Sequence, residues 1–408
     1  MSKKIFMGGI CGMGMCPLAI FLRQDGNEVS GFDDTPNPDI AELLTRGGVT
    51  VSNIRLPASP PDEFIISSAL VSNAKELQTF GAKKFMRRGE ALAKICENRK
   101  LVAVCGSHGK TTSTALLAHA INEKSLNAGY MVGAIPSEFS PVKHCAKQEF
   151  FAAEIDESDA TIEHFSPHIT LALNGDLDHT DTYPDEAALS QMFARLFART
   201  THAVIIPKGD ALLKNAAANI SAKLMEISVP QNDFLEYDKR MALAALNEMF
   251  TENFTPDIFG GFAGVARRQE ILADTEKLLA IADYAHHPSE VSAFLNWFEN
   301  LNTDKKLIFF QPHRYTRTKR FAEDFKKIFE ERVKLGDEIR ILPVYPASEP
   351  YDPEGTADKI TNTQIVLTES GELKKIIADK MQNSAARISV AFIGAGNIYF
   401  EAKKALSL

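Results

Sequence analysis

Apolar residues in this chain come in short runs, each followed by small or polar residues and then by a longer mixed stretch. Lys4-Ile-Phe-Met7, Glu28-Val-Ser-Gly-Phe-Asp33, Phe64-Ile-Ile-Ser-Ser68 and the segment near Lys84-Phe-Met86 read as strands, and so does Val102-Ala-Val-Cys105. The pattern continues through Phe150–Ile155, Ile169–Leu173, Leu279–Asp283, Lys306–Phe310, Glu338–Leu342 and Ile388–Ile393. Runs this short, bounded by Gly, Pro or Asp, suit strands covered on both faces of a parallel sheet. Helices are predicted from about Pro17, from Thr111, up to Trp297, over about Thr316 to Arg332, and near Lys374–Gln382. Strand–helix alternation of this kind predicts an α/β fold. A polar break at Glu97-Asn-Arg-Lys100 and a glycine-rich hinge at Ile258–Val265 divide it. The expected layout is a Rossmann-like N-terminal domain over 1–99, a central P-loop ATPase-like parallel sheet over 100–263, and a Rossmann-like C-terminal domain over 264–408.

Composition narrows this little. The 408 residues are 24% charged and 45% hydrophobic, ordinary for a globular protein, and the net charge of −8 argues against general nucleic-acid binding. Five cysteines without a Cys-x-x-Cys pair read as reduced thiols rather than as a disulfide framework or zinc site. Lys3-Lys4 ahead of an apolar stretch superficially resembles a signal peptide, but Gly8, Gly9, Gly12 and Gly14 interrupt it. The expectation is a cytoplasmic protein without membrane insertion.

The chemistry is concentrated where strands end. Gly106-Ser107-His108-Gly109-Lys110-Thr111-Thr112 lies between a predicted strand and a predicted helix. Such a turn offers backbone N–H groups and a helix N-terminus to a polyphosphate, with Lys110 for the outer phosphates and the Thr111 hydroxyl for Mg²⁺. The strict motif has a glycine where this chain has Val104. Gly8 to Gly14 followed by a strand ending in Asp33 is a second glycine turn, suited to a pyrophosphate and a ribose or base. Acidic turns at Asp156–Asp159 and Asn174–Asp181, with His179 among the latter, offer hard ligands beside the first loop. Asp283-Tyr-Ala-His-His-Pro288 and Gln311-Pro-His-Arg-Tyr-Thr-Arg317 close two later strands. Arg314 and Arg317 would share a face if helical and clamp a carboxylate or phosphate.

Taken together, these stretches resemble the Mur ligases, which use ATP to join amino acids to UDP-muramoyl precursors of peptidoglycan. The resemblance rests on Gly106–Thr112, Glu154-Ile-Asp-Glu-Ser-Asp159, Asn174–Asp181, Gly264-Val-Ala-Arg-Arg268, Asp283–Pro288 and Gln311–Thr318. It is strongest to the branch that adds L-alanine to UDP-N-acetylmuramate, and it implies small-molecule substrates. It further implies that Lys110 and Arg268 neutralise the moving γ-phosphate, while Thr111, Glu157 and His179 hold Mg²⁺. By the same resemblance Asp283 binds the ATP ribose, and Tyr284, His286, Arg314 and Arg317 seat alanine. Gly9, Gly12, Gly14, Asp33 and Ser68 then line the UDP pocket, and His179 or His286 assists proton removal from the amine. Three features depart from the pattern. The stretch between Asp181 and Phe262 is short. Tyr237-Asp238 stands where the family carries His-Asn facing the adenine. Gly9–Gly12 and Val132–Pro136 look like the related ligase that attaches a recycled tripeptide. A tripeptide ligase and a catalytically weakened UDP-sugar-binding paralogue therefore stay open beside L-alanine ligation.

Overall fold

The computed structural model of the chain describes residues 2–34, 36–55, 57, 59–67, 70, 81–136, 138–156, 161–177, 182–230, 233–250, 252–301, 305–347 and 349–407. Ser68, Glu157 and His179 lie outside the described residues.

Among the described residues three sheets form, and the expected α/β class is the one found. The first is wholly parallel: β1 (Lys4–Gly8), β2 (Glu28–Phe32), β3 (Thr50–Ser52), β4 (Glu63–Ile66) and β5 (Lys84–Arg87), in the order β3-β2-β1-β4-β5. The second contains β6 (Lys100–Cys105), β7 (Ala128–Met131), β8 (Val142–Lys143), β9 (Phe150–Glu154), β10 (Ile169–Ala172), β11 (Ala203–Pro207) and β12 (Lys223–Ile227). Its order is β12-β11-β10-β6-β9-β7-β8, and only the β7–β8 pair is antiparallel. The third contains β13 (Glu270–Asp274), β14 (Leu278–Asp283), β15 (Lys305–Phe310), β16 (Glu338–Ile341), β17 (Ile365–Leu367) and β18 (Ile388–Ile393). There the order is β13-β14-β18-β15-β16-β17, with β13 antiparallel at one edge.

The central position of β6 explains its sequence. It is flanked by β10 and β9, so both its edges are paired, and its side chains alternate between two apolar clusters, Leu101, Ala103 and Cys105 in one and Val102 and Val104 in the other, all buried. The helix Lys110–Glu123 that follows packs Ala115, Leu116, Ala118 and Ile121 into the same core as Met241, Ala242 and Ala245 of the helix Phe234–Met249. The latter helix starts at Asp233, whose carboxylate accepts from the Glu236 N–H, so Tyr237 and Asp238 sit near its N-terminus.

By compactness the chain divides into Met1–Val265 and Ala266–Leu408. The first unit holds two sheets because one continuous apolar cluster runs from Ile5, Phe21 and Ile65 to Phe151 and Phe197. Phe21 meets Phe151 edge-on, with ring centroids 5.1 Å apart. The second unit has a core on each face of its sheet, with Phe309 stacked on Phe392 at 5.4 Å in one of them.

Strand register imposes one strict constraint in the first sheet. Gly31 pairs with Met7, and a Cβ at Gly31 would stand 2.3 Å from the Met7 carbonyl oxygen. That contact is with backbone and cannot rotate away. Gly31→Ala is therefore expected to destabilise the first unit by about 1–3 kcal/mol, read as a lower urea midpoint. An unchanged midpoint would mean that β1 and β2 do not hold this register.

Candidate active site

The second sheet delivers its loops to one edge. Leaving β6, the chain passes Gly106 with φ 122° and Gly109 with φ 81°, and the helix begins at Lys110. Glycine permits both conformations. The loop is held from outside. The Asn174 side chain accepts from the His108 N–H at 3.0 Å and donates to the His108 carbonyl at 3.1 Å. The Ser107 hydroxyl donates to the Asp176 carbonyl at 2.5 Å, and His108 Nε2 stands 3.8 Å from the Asp176 carboxylate. Within the loop, Lys110 Nζ donates to the Gly106 carbonyl at 2.7 Å. Thr112 lies in the first turn of the helix, half-buried.

Thr111 meets the first carboxylate of the Glu154–Asp159 motif. Its hydroxyl donates to Glu154 Oε2 at 2.8 Å, from the end of β9. Glu157, the expected metal ligand three residues on, lies outside the described residues; among those described, Glu154 is the acid against Thr111. A second signal points the same way. A Cβ at Gly133 would lie 1.3 Å from Glu154 Oε1, so the missing side chain leaves room for the carboxylate. The donor set suits magnesium: a hydroxyl and a carboxylate are hard oxygen ligands, and Mg²⁺ takes few protein ligands alongside phosphate and water. Among the described residues no cluster of three or more His, Cys, Asp or Glu is arranged to hold a metal ion.

The first glycine turn closes on the strand beside it. Gly9 and Ile10 donate to the Phe32 carbonyl at 2.9 and 3.1 Å, and the Asp33 carboxylate accepts from the Cys11 N–H at 3.0 Å. Gly9 adopts φ 71°, and Gly12 donates back to Gly9 at 3.0 Å. Arg88, unremarked in the sequence, lies over Gly14: a Cβ there would stand 3.1 Å from Arg88 Cδ. The Arg88 guanidinium is 3.7 Å from the Asp156 carboxylate, between the ends of the first and second sheets.

In the second unit the expected residues gather at the ends of β14 and β15. Tyr284 and His286 meet edge to face at 5.5 Å, and His286 meets His313 at 5.8 Å. His313 stacks on Tyr345 at 5.7 Å, and its Nδ1 accepts from Arg317 at 3.5 Å. Burial, with His286 and both nearby arginines, pushes the His313 imidazole down to about 2, so it is neutral at any working pH. Arg314 and Arg317 do not share a helical face. Arg314 precedes the helix Tyr315–Lys334, with φ 71° and its N–H donating to the Tyr345 carbonyl at 2.8 Å. Helix capping overrides the three-residue spacing. Arg268 lies 5.1 Å from the centre of the Tyr284 ring. Its neighbour Arg267 is packed among Tyr284, Tyr399 and Phe400, and burial lowers its pKa.

Parallel sheets that carry a phosphate loop and a second glycine turn at strand ends define a nucleotide-binding α/β protein. Residues 4–100 match the model of the Mur ligase family catalytic domain, and residues 104–254 match that of the Mur ligase middle domain. The chain belongs to the Mur ligase family. It is 26% identical to a UDP-N-acetylmuramate–L-alanine ligase of Fusobacterium nucleatum, over 97% of this chain and 95% of that one. Among solved structures it is similar to the UDP-N-acetylmuramate-alanine ligase of Thermotoga maritima, with TM-score 0.76 and 21% identity over 99% of this chain and 98% of that one. A murein peptide ligase of Psychrobacter arcticus gives TM-score 0.73 and 18% identity over 100% of this chain and 98% of that one.

Asp283 makes the second unit sensitive to pH. It is 9% exposed, and its two oxygens accept from the Gln269 N–H at 2.9 Å and the Ala285 N–H at 2.8 Å. Burial pushes the carboxyl up to about 6, against the opposing pull of Arg268 and the two N–H groups. The folded value lies above the ordinary 3.8, so the folded chain takes up this proton first. Between about pH 4 and 6 the group favours folding as pH falls, and its ionised form costs stability above that window. At neutral pH the carboxylate holds the turn that carries Arg268; once protonated, one oxygen becomes a donor and loses its N–H. Turnover that depends on Arg268 is expected to fall on an acid limb with a midpoint near 6. A rate profile flat down to about pH 5 would remove Asp283 from that role.

Proposed function

We propose that this protein is an ATP-dependent ligase that joins the lactyl carboxylate of UDP-N-acetylmuramate to the amine of L-alanine, making a peptidoglycan precursor. The observation that carries the reading is the loop 106–112, held from outside by Asn174 with Thr111 against Glu154. The similarity to UDP-N-acetylmuramate–L-alanine ligases runs over nearly the whole chain and supports the substrate assignment. We assign the three-domain layout 1–99, 100–263 and 264–408 to sugar nucleotide, ATP and amino acid in turn. As soluble substrates need no membrane contact, a cytoplasmic enzyme fits, and no described helix is long and apolar enough to cross a membrane.

Amide formation from a carboxylate is uphill in water, so the carboxylate is first made electrophilic. Its oxygen attacks the γ-phosphorus of ATP, ADP leaves, and an acyl phosphate forms. The alanine amine then attacks the acyl carbon, phosphate departs with the bonding pair, and the amine proton passes to a base. Lys110 and Arg268 neutralise the oxygens of the group in transfer. Thr111 and Glu154, with Glu157 and His179 as further candidates, hold the Mg²⁺, which supplies charge neutralisation when bound. Asp283 braces the Arg268 turn in addition to any contact with the ribose. Gly9, Gly12, Gly14, Asp33 and Ser68 form the sugar-nucleotide pocket. Tyr284 and His286 close the alanine site, Arg314 and Arg317 grip its carboxylate, and a neutral histidine, His286 or His179, accepts the amine proton.

Lys110→Ala is expected to leave thermal stability near wild type and to lower phosphate release by roughly 100-fold or more. Retained activity would discard the phosphate-loop reading. The amine donor is tested by comparing L-alanine with L-Ala-γ-D-Glu-meso-diaminopimelate. In the tripeptide the alanine carboxyl is an amide, so Arg314 and Arg317 lose an anionic partner. That loss is worth ~2–4 kcal/mol, or roughly 30- to 1000-fold in kcat/KM. Preference for the tripeptide would instead establish the recycling reaction. Hydrolysis of ATP with neither donor, or binding of UDP-sugar without phosphate release, would indicate the weakened paralogue.

A further inference from the structure

One buried carboxylate beside the phosphate loop has no part in the mechanism above. Asp238, 6% exposed, accepts from the Ser113 hydroxyl at 3.1 Å, and Ser113 is itself fully buried in the first turn of the helix Lys110–Glu123. Asp238 Oδ1 is 2.6 Å from the point where a Cβ on Gly109 would stand, so the carboxylate lies directly against the loop. Its neighbour Tyr237 donates its hydroxyl to the carbonyl of Leu173, the residue before the Asn174 that brackets His108. Burial raises the Tyr237 phenol, and the charges of Asp238, Asp210 and Asp176 raise it further. A helix N-terminus attracts anions through its unpaired N–H groups and dipole. Here a protein carboxylate occupies part of that positive field before any ligand arrives.

We propose that Asp238 is an affinity-setting residue for the nucleotide: a resident anion that disfavours a bare polyphosphate and makes the loop selective for one already shielded by a divalent cation. The assignment rests on the reading of this loop as the ATP site. Like charges a few ångströms apart in a partly dehydrated loop repel strongly, and a cation on the phosphates cancels most of that repulsion. Tyr237 is the accompanying positioning residue, tying the same helix to the strand end that shapes the loop.

The test is calorimetric binding of ADP to the full chain, with EDTA and with excess Mg²⁺. Asp238→Asn keeps an acceptor for Ser113 and removes the charge. It is expected to bind ADP roughly 10-fold or more tightly than wild type in EDTA, with the difference shrinking to about 3-fold or less in Mg²⁺. Added salt should narrow the EDTA difference. Ser113→Ala keeps the carboxylate and loses the hydrogen bond, so it should not tighten ADP in EDTA. Equal affinity of wild type and Asp238→Asn in EDTA would overturn the proposal. So would weaker binding by Asp238→Asn in both conditions, the result expected of a purely structural carboxylate, or tightening by Ser113→Ala equal to that by Asp238→Asn. If wild type and both variants bind no ADP with or without Mg²⁺, the ATP reading itself falls and this assignment with it.

Discussion

A loop that receives a polyphosphate must keep its own N–H groups available, so its shape has to be imposed by other parts of the chain. Asn174 does this with a two-way grip on the His108 peptide, made from the end of the strand next to β6. The grip requires β6 and β10 to be adjacent, parallel and in register, and that requires the apolar residues of β6 to be covered on both faces. The core of the second sheet and the chemistry at its edge are therefore one problem. Loosening the packing beneath Val102 and Val104 would move the loop relative to Asn174 before it exposed much surface.

The same logic sets the charges around the loop. Lys110 turns back onto Gly106, and Glu154 fits beside Thr111 because Gly133 has no side chain to exclude it. Asp238 approaches from the N-terminal part of a second helix, Phe234–Met249. Cation, carboxylate and helix dipole are thus balanced within one small volume. In the second unit the balance is struck differently: a neutral His313 lies between Tyr345 and Arg317, and buried Asp283 holds the turn leading to Arg268. Each unit keeps its charged groups on strand ends, where the backbone fixes their origin and burial controls their protonation.

Much of this was legible in the chain itself. Apolar runs at β1, β2, β6, β9, β10, β14, β15, β16 and β18 mark strands within a residue or two, because strands buried on both faces have few polar residues to blur their edges. Edge elements such as β8, β12, β13 and β17 are not marked by such runs, since an edge strand faces solvent and carries a mixed pattern. Gly106 to Thr111 reads as a phosphate loop from glycine, lysine and hydroxyl at fixed offsets, and the strand and helix that such a reading calls for stand on either side of it.

What the sequence by itself determined was therefore the class of fold, the order of its strands along the chain and the residue types gathered at the strand ends. Tertiary structure alone decided which carboxylate serves which partner. The direction in which β9 ends, together with the gap at Gly133, brings Glu154 to Thr111. Arg314 and Arg317 have helical spacing, yet the Tyr345 carbonyl captures the Arg314 N–H and holds that residue outside the helix. Arg88 carries no motif at all, and Asp238 is marked in the sequence only as standing, with Tyr237, where the family carries His-Asn. Their positions depend on long-range packing between elements far apart in the chain, and a local pattern cannot encode a contact whose partner lies on another strand or helix.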